Sequence, residues 1–454
     1  MFRFWYYISR IFYYPFLNWF LPLINIKAKA RLIFEKLNTD DPASISFKKS
    51  NKQADFAFEV SSEGEFQQVK PIILKVLSDE NLVEIIFCSD SVEKQCQTLF
   101  TEFPNNLRLL RLPILTFTPF SEFNPMNWLT ASSFFLCRYD FFPELIFYGR
   151  KKNVKFNLIA GTLKNTESKQ KNTFLKLYYK YVYNSFDKLI MATENDKFNL
   201  IRRYSIDDEL VESYDFRPVQ IYNRLDLKLE KFKEKFKYKK EFSSYLEKFE
   251  MKNRIILGSY WYDENKILNH DIKTLLSHGH QISIVPHQLS PLDLIKTRKS
   301  ILDKNSDVVI YEINNELTKT EIDKLFLDME EAPGILIINL KGILCELYTY
   351  FGHAYVAGGY RSSVHSLLEP FLAGAMVYCG PKVHRSTEYD LIMQSNPDRI
   401  YIVEDPSHFL NKVVTTNLNE LSSVHSFESH YKGNFSPILN WLDIKSSWES
   451  DAQF

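Results

Sequence analysis

From residue 54 onward the chain alternates short apolar runs with stretches in which apolar residues recur at helical spacing. Ala54–Val60 (ADFAFEV) alternates apolar and polar positions and predicts a strand; a Ser-Ser-Glu-Gly-Glu turn and a helical pattern over Phe66–Leu77 follow. Further strands are predicted at Val83–Cys88, Val154–Ala160 and Lys188–Ala192, with helices at Phe174–Phe186 and Asp196–Tyr204. Glu144–Phe147 closes a helix, and Met126–Arg138 holds no single period. Phe216–Tyr222, with Pro218 inside it, reads as an extended linker, and Asp226–Met251 as a Lys/Glu-rich helical segment. Alternation resumes with strands at Arg254–Leu257, Gln281–Val285, Val308–Ile313, Ile335–Ile338, Ala354–Ala357, Met376–Cys379 and Arg399–Val403, and Phe435–Trp448 as a closing helix. Strands alternating with helices imply parallel sheets covered on both faces. Two such halves imply two doubly wound, Rossmann-like α/β domains whose strand ends face a cleft.

The first residues break this pattern. Eleven of those from Phe2 to Phe20 are Phe, Tyr or Trp. The uncharged run Ile11–Ile26 is shorter than the about 20 apolar residues that cross a bilayer, and Pro15 and Pro22 interrupt it. Aromatic rings favour the headgroup level, and Arg3, Arg10, Lys27, Lys29 and Arg31 add attraction to anionic lipid. A segment lying in the membrane interface fits best, ahead of a tilted single span and of a signal peptide ending near Ala28-Lys29-Ala30. The division expected is 1–31 as a membrane-associated anchor, 32–217 as an N-terminal acceptor domain, 218–434 as a C-terminal donor domain, and 435–454 as a terminal helix or tail.

Composition adds two constraints. Lys+Arg and Asp+Glu stand at 56 each, which gives no electrostatic reason to expect nucleic acid as a partner. Cys88, Cys96, Cys137, Cys345 and Cys379 form no CxxC pair and sit in apolar runs, as reduced, buried thiols do.

Four strand ends carry candidate chemistry. In Ser61-Ser62-Glu63-Gly64-Glu65 a carboxylate at the top of a parallel sheet can take a proton from an attacking hydroxyl, yet Ser62-x-x-Glu65 is also a capping box. His353–Pro381 is the densest stretch. Gly358-Gly359 ends a strand where the backbone can approach a ligand, and Ser362 to Ser366, including His365, leads into a helix whose N–H groups can meet a phosphate. Glu369 can accept from ribose hydroxyls, or cap the helix with Ser366. Gly258-Ser259 followed by Asp263-Glu264 suits an anion or a cap equally, and His287 after Val285-Pro286 suits a phosphate or a structural role. No HExxH, Cys/His cluster, DxD pair with strand context, GxGxxG or P-loop occurs, so no metal is expected.

The order of these elements resembles the Kdo (3-deoxy-D-manno-octulosonic acid) transferases across roughly residues 2–415. Gly64-Glu65 looks like that family's Gly-Glu turn, and Asp140-Phe141-Phe142-Pro143 like its acidic-x-aromatic-Pro element. Gly258-Ser259 looks like its Gly-Ser strand end, and Gly342-Ile343-Leu344 with Tyr348 like its Gly-Glu-Leu…Tyr stretch. Gly358-Gly359, His365-Ser366, Leu368-Glu369-Pro370 and Gly380-Pro381 resemble its paired glycines, His-Asn, Leu-Glu-Pro and Gly-Pro. Ser366 stands where the family has Asn and Ile343 where it has Glu; its Arg-His is Pro286-His287, its Asn-Ala-Arg-Leu is Ala160-Gly161-Thr162-Leu163, and its Asn-Phe after Gly-Pro is Arg385-Ser386.

The resemblance implies a GT-B fold, CMP-Kdo as donor, and inverting transfer to a lipid A precursor at the cytoplasmic face of the inner membrane. Glu65 would be the general base. Ser259, His287, Gly342, Gly358, Gly359, His365, Ser366 and Glu369 would hold the donor, and Gly64 and Asp140 would lie on the acceptor side. A donor with one phosphate can leave with help from helix N-termini and His or Lys donors, without a metal. The alternatives are a GT-B transferase using a UDP- or GDP-sugar and a non-catalytic, lipid-binding homologue.

Overall fold

The computed structural model describes residues 2–40, 53–117, 129–138, 141–163, 173–226, 235–268, 272–303, 305–361, 363–384 and 386–444. The chain divides into two compact units, Met1–Gln220 with Gly433–Ala452, and Ile221–Lys432 with Gln453–Phe454.

The first unit holds β1 (Phe56–Val60), β2 (Val83–Phe87), β3 (Leu107–Arg111), β4 (Ser133–Cys137), β5 (Lys155–Gly161), β6 (Lys188–Met191) and β7 (Val211–Ser213). They form one parallel, seven-stranded sheet in the order β3-β2-β1-β4-β5-β6-β7. The second holds β8 (Arg254–Tyr260), β9 (Gln281–Pro286), β10 (Ile310–Ile313), β11 (Ile335–Ile338), β12 (His353–Val356), β13 (Met376–Cys379) and β14 (Ile400–Ile402). Its parallel sheet, also seven-stranded, runs β10-β11-β9-β8-β12-β13-β14. These are the two doubly wound α/β sheets that the periodicity predicts. A strand covered on both faces by helices reads as an unbroken apolar run, and β11, Ile-Leu-Ile-Ile, is buried at every position. In each sheet the strand order reverses beside one strand, β1 in the first and β8 in the second, and ligands of open α/β sheets bind at that switch point.

Two local expectations are corrected, and one strand stands where the sequence predicts none. β3 (LRLLR) escapes a hydrophobicity search because Arg108 and Arg111 lie within it. Arg108 is buried against Glu84, its register partner on β2. The Glu84 carboxylate also accepts from the N–H of Thr130 at 2.9 and 3.0 Å and of Ala131 at 3.1 Å, which leaves the buried charge paired. Phe216–Tyr222 is not an extended linker: a helix spans Arg217–Asp226. Pro218 falls in its first turn, where a missing N–H costs nothing, and Asp215 accepts from the Arg217 N–H at 2.9 Å. The C-terminal helix is His425–Trp441 and begins well before Phe435.

The N-terminal segment is helical over Phe2–Pro15, passes through a π-helical turn at Phe16–Phe20 and a short helix at Leu21–Ile24, and continues as the helix Ile26–Asp40. Its last helix is locked to the first unit. The buried Glu35 carboxylate accepts from the N–H groups of Ile114, Leu115 and Thr116 at 2.9, 3.1 and 2.8 Å. Asn38 makes both backbone bonds to Arg111, and Phe34 packs edge-on against Phe87. Two cations expected to face lipid do not. Arg10 is buried and donates to the carbonyls of Phe117 and Ile114, while Arg31 bonds Glu35 and the carbonyls of Cys88 and Leu112. Lys27 and Lys29 are exposed, as are Phe12 (76%), Trp19 (66%), Leu23 (81%) and Ile26 (83%). Among the described residues no helix is long and apolar enough to cross a membrane.

Candidate functional site

The carboxyl end of β1 turns into the helix Glu63–Ser78. Ser62 Oγ accepts from the Glu65 N–H at 3.4 Å, and the Glu65 carboxylate accepts from Ser61 N–H at 2.8 Å. The capping box is thus made one residue further out than the sequence pattern places it. Glu65 is buried, whereas Glu63 and Gly64 are exposed. At the end of the neighbouring strand β4, Arg138 adopts φ +62° and its Nε donates to Gln68, on the Glu65 helix, at 3.1 Å. A left-handed arginine at a switch point is strained backbone at a site of interest, and nothing in the sequence marks it. Asp140 lies outside the described residues.

In the second unit the switch point falls between β8 and β12. Gly258 is required there by packing, since a Cβ would stand 2.0 Å from Tyr348 Oη. Ser259 follows with φ +51°, where the register of β8 on β9 breaks. The strand end then delivers Trp261 onto a stack of rings. Trp261 and His287 lie 4.1 Å apart between centroids at 28°, and His287 and His365 lie 4.5 Å apart at 23°. Trp261 Nε1 donates to His365 Nε2 at 3.3 Å. Arg361 covers the Trp261 ring at 3.9 Å and reaches Asp263 at 3.5 Å. Burial pushes His365 down to about 4, with His287 adding to the effect; burial and then Arg361 lower His287. Both imidazoles are therefore neutral at neutral pH.

The paired glycines have two separate reasons. Gly358 takes φ +99°, and a Cβ there would meet Ser363 O at 2.4 Å. Gly359 lies against the backbone of Gly380, with a Cβ position 2.6 Å from Gly380 Cα. The sequence signature of paired glycines and a later Gly-Pro is thus partly one backbone contact. The Gly358 N–H donates to Glu264 at 2.8 Å.

Glu369 and Gly342 belong to a different grouping. Arg224 spans Glu346 at 3.0 Å and Glu369 at 3.5 Å. The Glu369 carboxyl is pushed up to about 7 by burial; Arg224 opposes this, and Glu388 and Glu346 add to it. Gly342, at φ +76°, accepts from Lys235 through its carbonyl at 3.4 Å. Ser366 does not cap with Glu369. Its hydroxyl donates to Glu388 at 3.2 Å, and the same carboxylate accepts from Leu367 and Leu368 N–H at 2.6 and 3.0 Å. The backbone donors read as free for a phosphate are thus held by an acid 19 residues beyond Glu369 in the chain.

The structure therefore brings Ser259, His287, Gly358 and His365 to one switch point, and sets Glu369 with Arg224 and Glu346. Sequence reasoning leaves out Arg361, Arg224, Glu346 and Glu388, and gives Trp261 and Glu264 no specific role. Trp261 and Glu264 stand within the Gly-Ser strand-end stretch that the sequence already marks; the others are joined only by tertiary structure. Among the described residues no group of three or more His, Cys, Asp or Glu can hold a metal ion.

Residues 33–211 match the family model of 3-deoxy-D-manno-octulosonic-acid transferase (kdotransferase). No curated protein matches the chain. Among solved structures, UDP-GlcNAc 2-epimerase from Neisseria meningitidis bound to UDP-GlcNAc aligns with a TM-score of 0.53 at 13% identity, over 86% of this chain and 100% of that one. Anabaena Alr3699/HepE in complex with UDP and glucose aligns with a TM-score of 0.50 at 9% identity, over 86% and 99%. The C-terminal CMP-Kdo binding domain of WaaA from Acinetobacter baumannii aligns with a TM-score of 0.30 at 12% identity, over 44% and 97%. The first two show that the fold is shared with GT-B-like proteins. The family match carries the resemblance to the Kdo transferases over residues 33–211.

Proposed function

We propose that this protein transfers Kdo from CMP-Kdo to a hydroxyl of a lipid A precursor, with inversion, at the cytoplasmic face of the inner membrane. The observation that carries the proposal is the family match over residues 33–211.

Glu65 is the base in this scheme. As the acceptor oxygen bonds to the Kdo anomeric carbon, its proton passes to the Glu65 carboxylate and the bond to the CMP phosphate breaks. A carboxylate oxygen has two lone pairs, so the bond from Ser61 to one oxygen still permits proton transfer. Arg138, on the adjacent strand end, offers a cation to an anionic acceptor. At the switch point of the second unit, Ser259, His287 and His365 receive the nucleotide with Arg361 as the cation for its phosphate. Glu369, carried with Arg224, accepts from ribose hydroxyls. No divalent metal enters the scheme.

The exposed aromatic and aliphatic side chains of residues 12–26 lie in the membrane interface and keep the enzyme beside its lipid acceptor. Arg10 and Arg31 are spent on the first unit, so Lys27 and Lys29 carry the basic attraction to lipid.

Incubation of the purified full chain with CMP-Kdo and lipid A precursor, read by mass spectrometry, tests this directly. A product heavier than the precursor by one Kdo residue is expected. An unchanged precursor, with turnover appearing only on a UDP- or GDP-sugar, would replace the donor assignment.

A further inference from the structure

We infer that Glu264 holds the Gly358 turn in the shape that receives the nucleotide, and is a positioning residue for donor binding. This rests on the proposed donor role of the second unit's switch point.

Glu264 sits in the short 3-10 segment Tyr262–Leu268 that follows β8, with φ −91° and ψ 18°, in the sparsely populated bridge region. It is buried at 4% exposure. One carboxylate oxygen accepts from the Gly358 N–H at 2.8 Å, the other from Tyr355 Oη at 3.0 Å. Tyr355 is fully buried on β12, the strand that ends at the turn. The carboxylate therefore ties the turn to the strand before it.

The residue just before this segment grips the far end of the turn. Trp261, three residues before Glu264, donates to His365 at 3.3 Å, and His365 N–H returns to the Ala357 carbonyl at 3.3 Å. Gly358 and His365 are thus both fastened to the stretch Trp261–Glu264. Gly358 needs such fastening: its φ of +99° is open to glycine, whose backbone is otherwise the least constrained of any residue.

A buried carboxylate is an expensive way to hold a turn, because desolvation penalises the charge. Burial does raise the Glu264 carboxyl above its ordinary range, against the bonds from Gly358 and Tyr355. An apolar residue would fill the space without that cost but could not accept the Gly358 N–H. The carboxylate buys orientation.

The test compares full-length wild type with Glu264→Ala, Glu264→Leu and Glu264→Gln in two measurements: titration with CMP by calorimetry, and hydrogen exchange of the amides from Gly358 to Arg361 without ligand. Ala and Leu remove both acceptors, and Leu keeps the volume should Ala fail to fold. Both should exchange faster at these amides and bind CMP about tenfold more weakly, the loss expected when a buried donor has no partner. Gln, which keeps one acceptor, should restore most of the affinity. A folded Ala or Leu variant with wild-type exchange at this turn, or wild-type CMP affinity, overturns the inference. If wild type itself binds no CMP, the donor assignment falls, and the exchange measurement still decides whether Glu264 holds the turn.

Discussion

The strand ends at the two switch points are built from different materials. Beside β1 the first unit offers two buried carboxylates, Glu59 in the strand, which accepts from the Ser61 hydroxyl, and Glu65 in the first turn of the helix that follows, with Arg138 on the neighbouring strand. Beside β8 the second unit offers flat rings in contact, a guanidinium over one of them, and two imidazoles kept neutral by burial. A carboxylate held by backbone donors in a helix's first turn is suited to proton chemistry. Stacked rings with a cation can receive a planar base and a phosphate, and the buried carboxylate beside them, Glu264, is spent on the Gly358 N–H and the Tyr355 hydroxyl. Under the proposed function, this contrast corresponds to the two halves of a group transfer, activation of the acceptor in one unit and retention of the donor in the other.

The sharpest way to break that contrast is Glu65→Gln. The amide oxygen can still accept from Ser61, so the helix start survives, while basicity is lost. Turnover should fall by ~10² or more at a near-normal melting temperature. Wild-type turnover in this variant would leave Glu65 as a cap and empty the first unit of its proposed chemistry.

The next test concerns which N-terminal residues serve lipid and which serve the fold. Phe12, Trp19 and Leu23 are largely exposed, so replacing all three by serine should leave the melting temperature unmoved. Binding to vesicles containing anionic lipid should drop at least tenfold, since each apolar side chain withdrawn from water contributes ~1.5–3 kcal/mol. Arg10→Ala should do the reverse. It leaves the Phe117 and Ile114 carbonyls without their donor, lowering the melting temperature by a few degrees while vesicle binding holds. Loss of vesicle binding in Arg10→Ala at unchanged stability would return Arg10 to the lipid face.

The same distinction explains what was legible in the sequence. Strands whose apolar runs lie between helices, such as β11, declare themselves by composition and recur where the pattern puts them. β3 does not, because Arg108 is neutralised by Glu84, distant in the chain but adjacent in register, and Arg111 by Glu93. The helix Arg217–Asp226 is hidden because Pro218 reads as a breaker, yet it occupies the one turn that tolerates it. At the candidate site, Gly358 and His365 stood in one ordered motif and do meet. Capping boxes were the least reliable guide: Ser366 and Glu369 have the spacing, yet the cap comes from Glu388 and Glu369 turns to Arg224. A local pattern states which bonds can form; tertiary neighbours decide which do.

The smallest effect expected is a titration. Burial holds the Glu369 carboxyl at about 7, against an ordinary value of 4.5, with Arg224 opposing the shift. Between about 4.5 and about 7 the folded chain then carries a proton here that the unfolded chain has released, so the group's contribution to stability is present below about 4.5 and lost as pH rises through about 7. Glu369→Gln mimics the protonated form at every pH. Its melting temperature should match wild type near pH 5 and exceed it at pH 8, by a modest margin because the side chain is 23% exposed to water. Its affinity for CMP should differ from wild type most at pH 8, where the wild-type carboxylate is ionised and can accept from ribose hydroxyls. If the two proteins melt in parallel from pH 5 to 8, Glu369 is already ionised in the fold. The Arg224 pairing would then outweigh burial, making this corner of the second unit an ordinary ion pair.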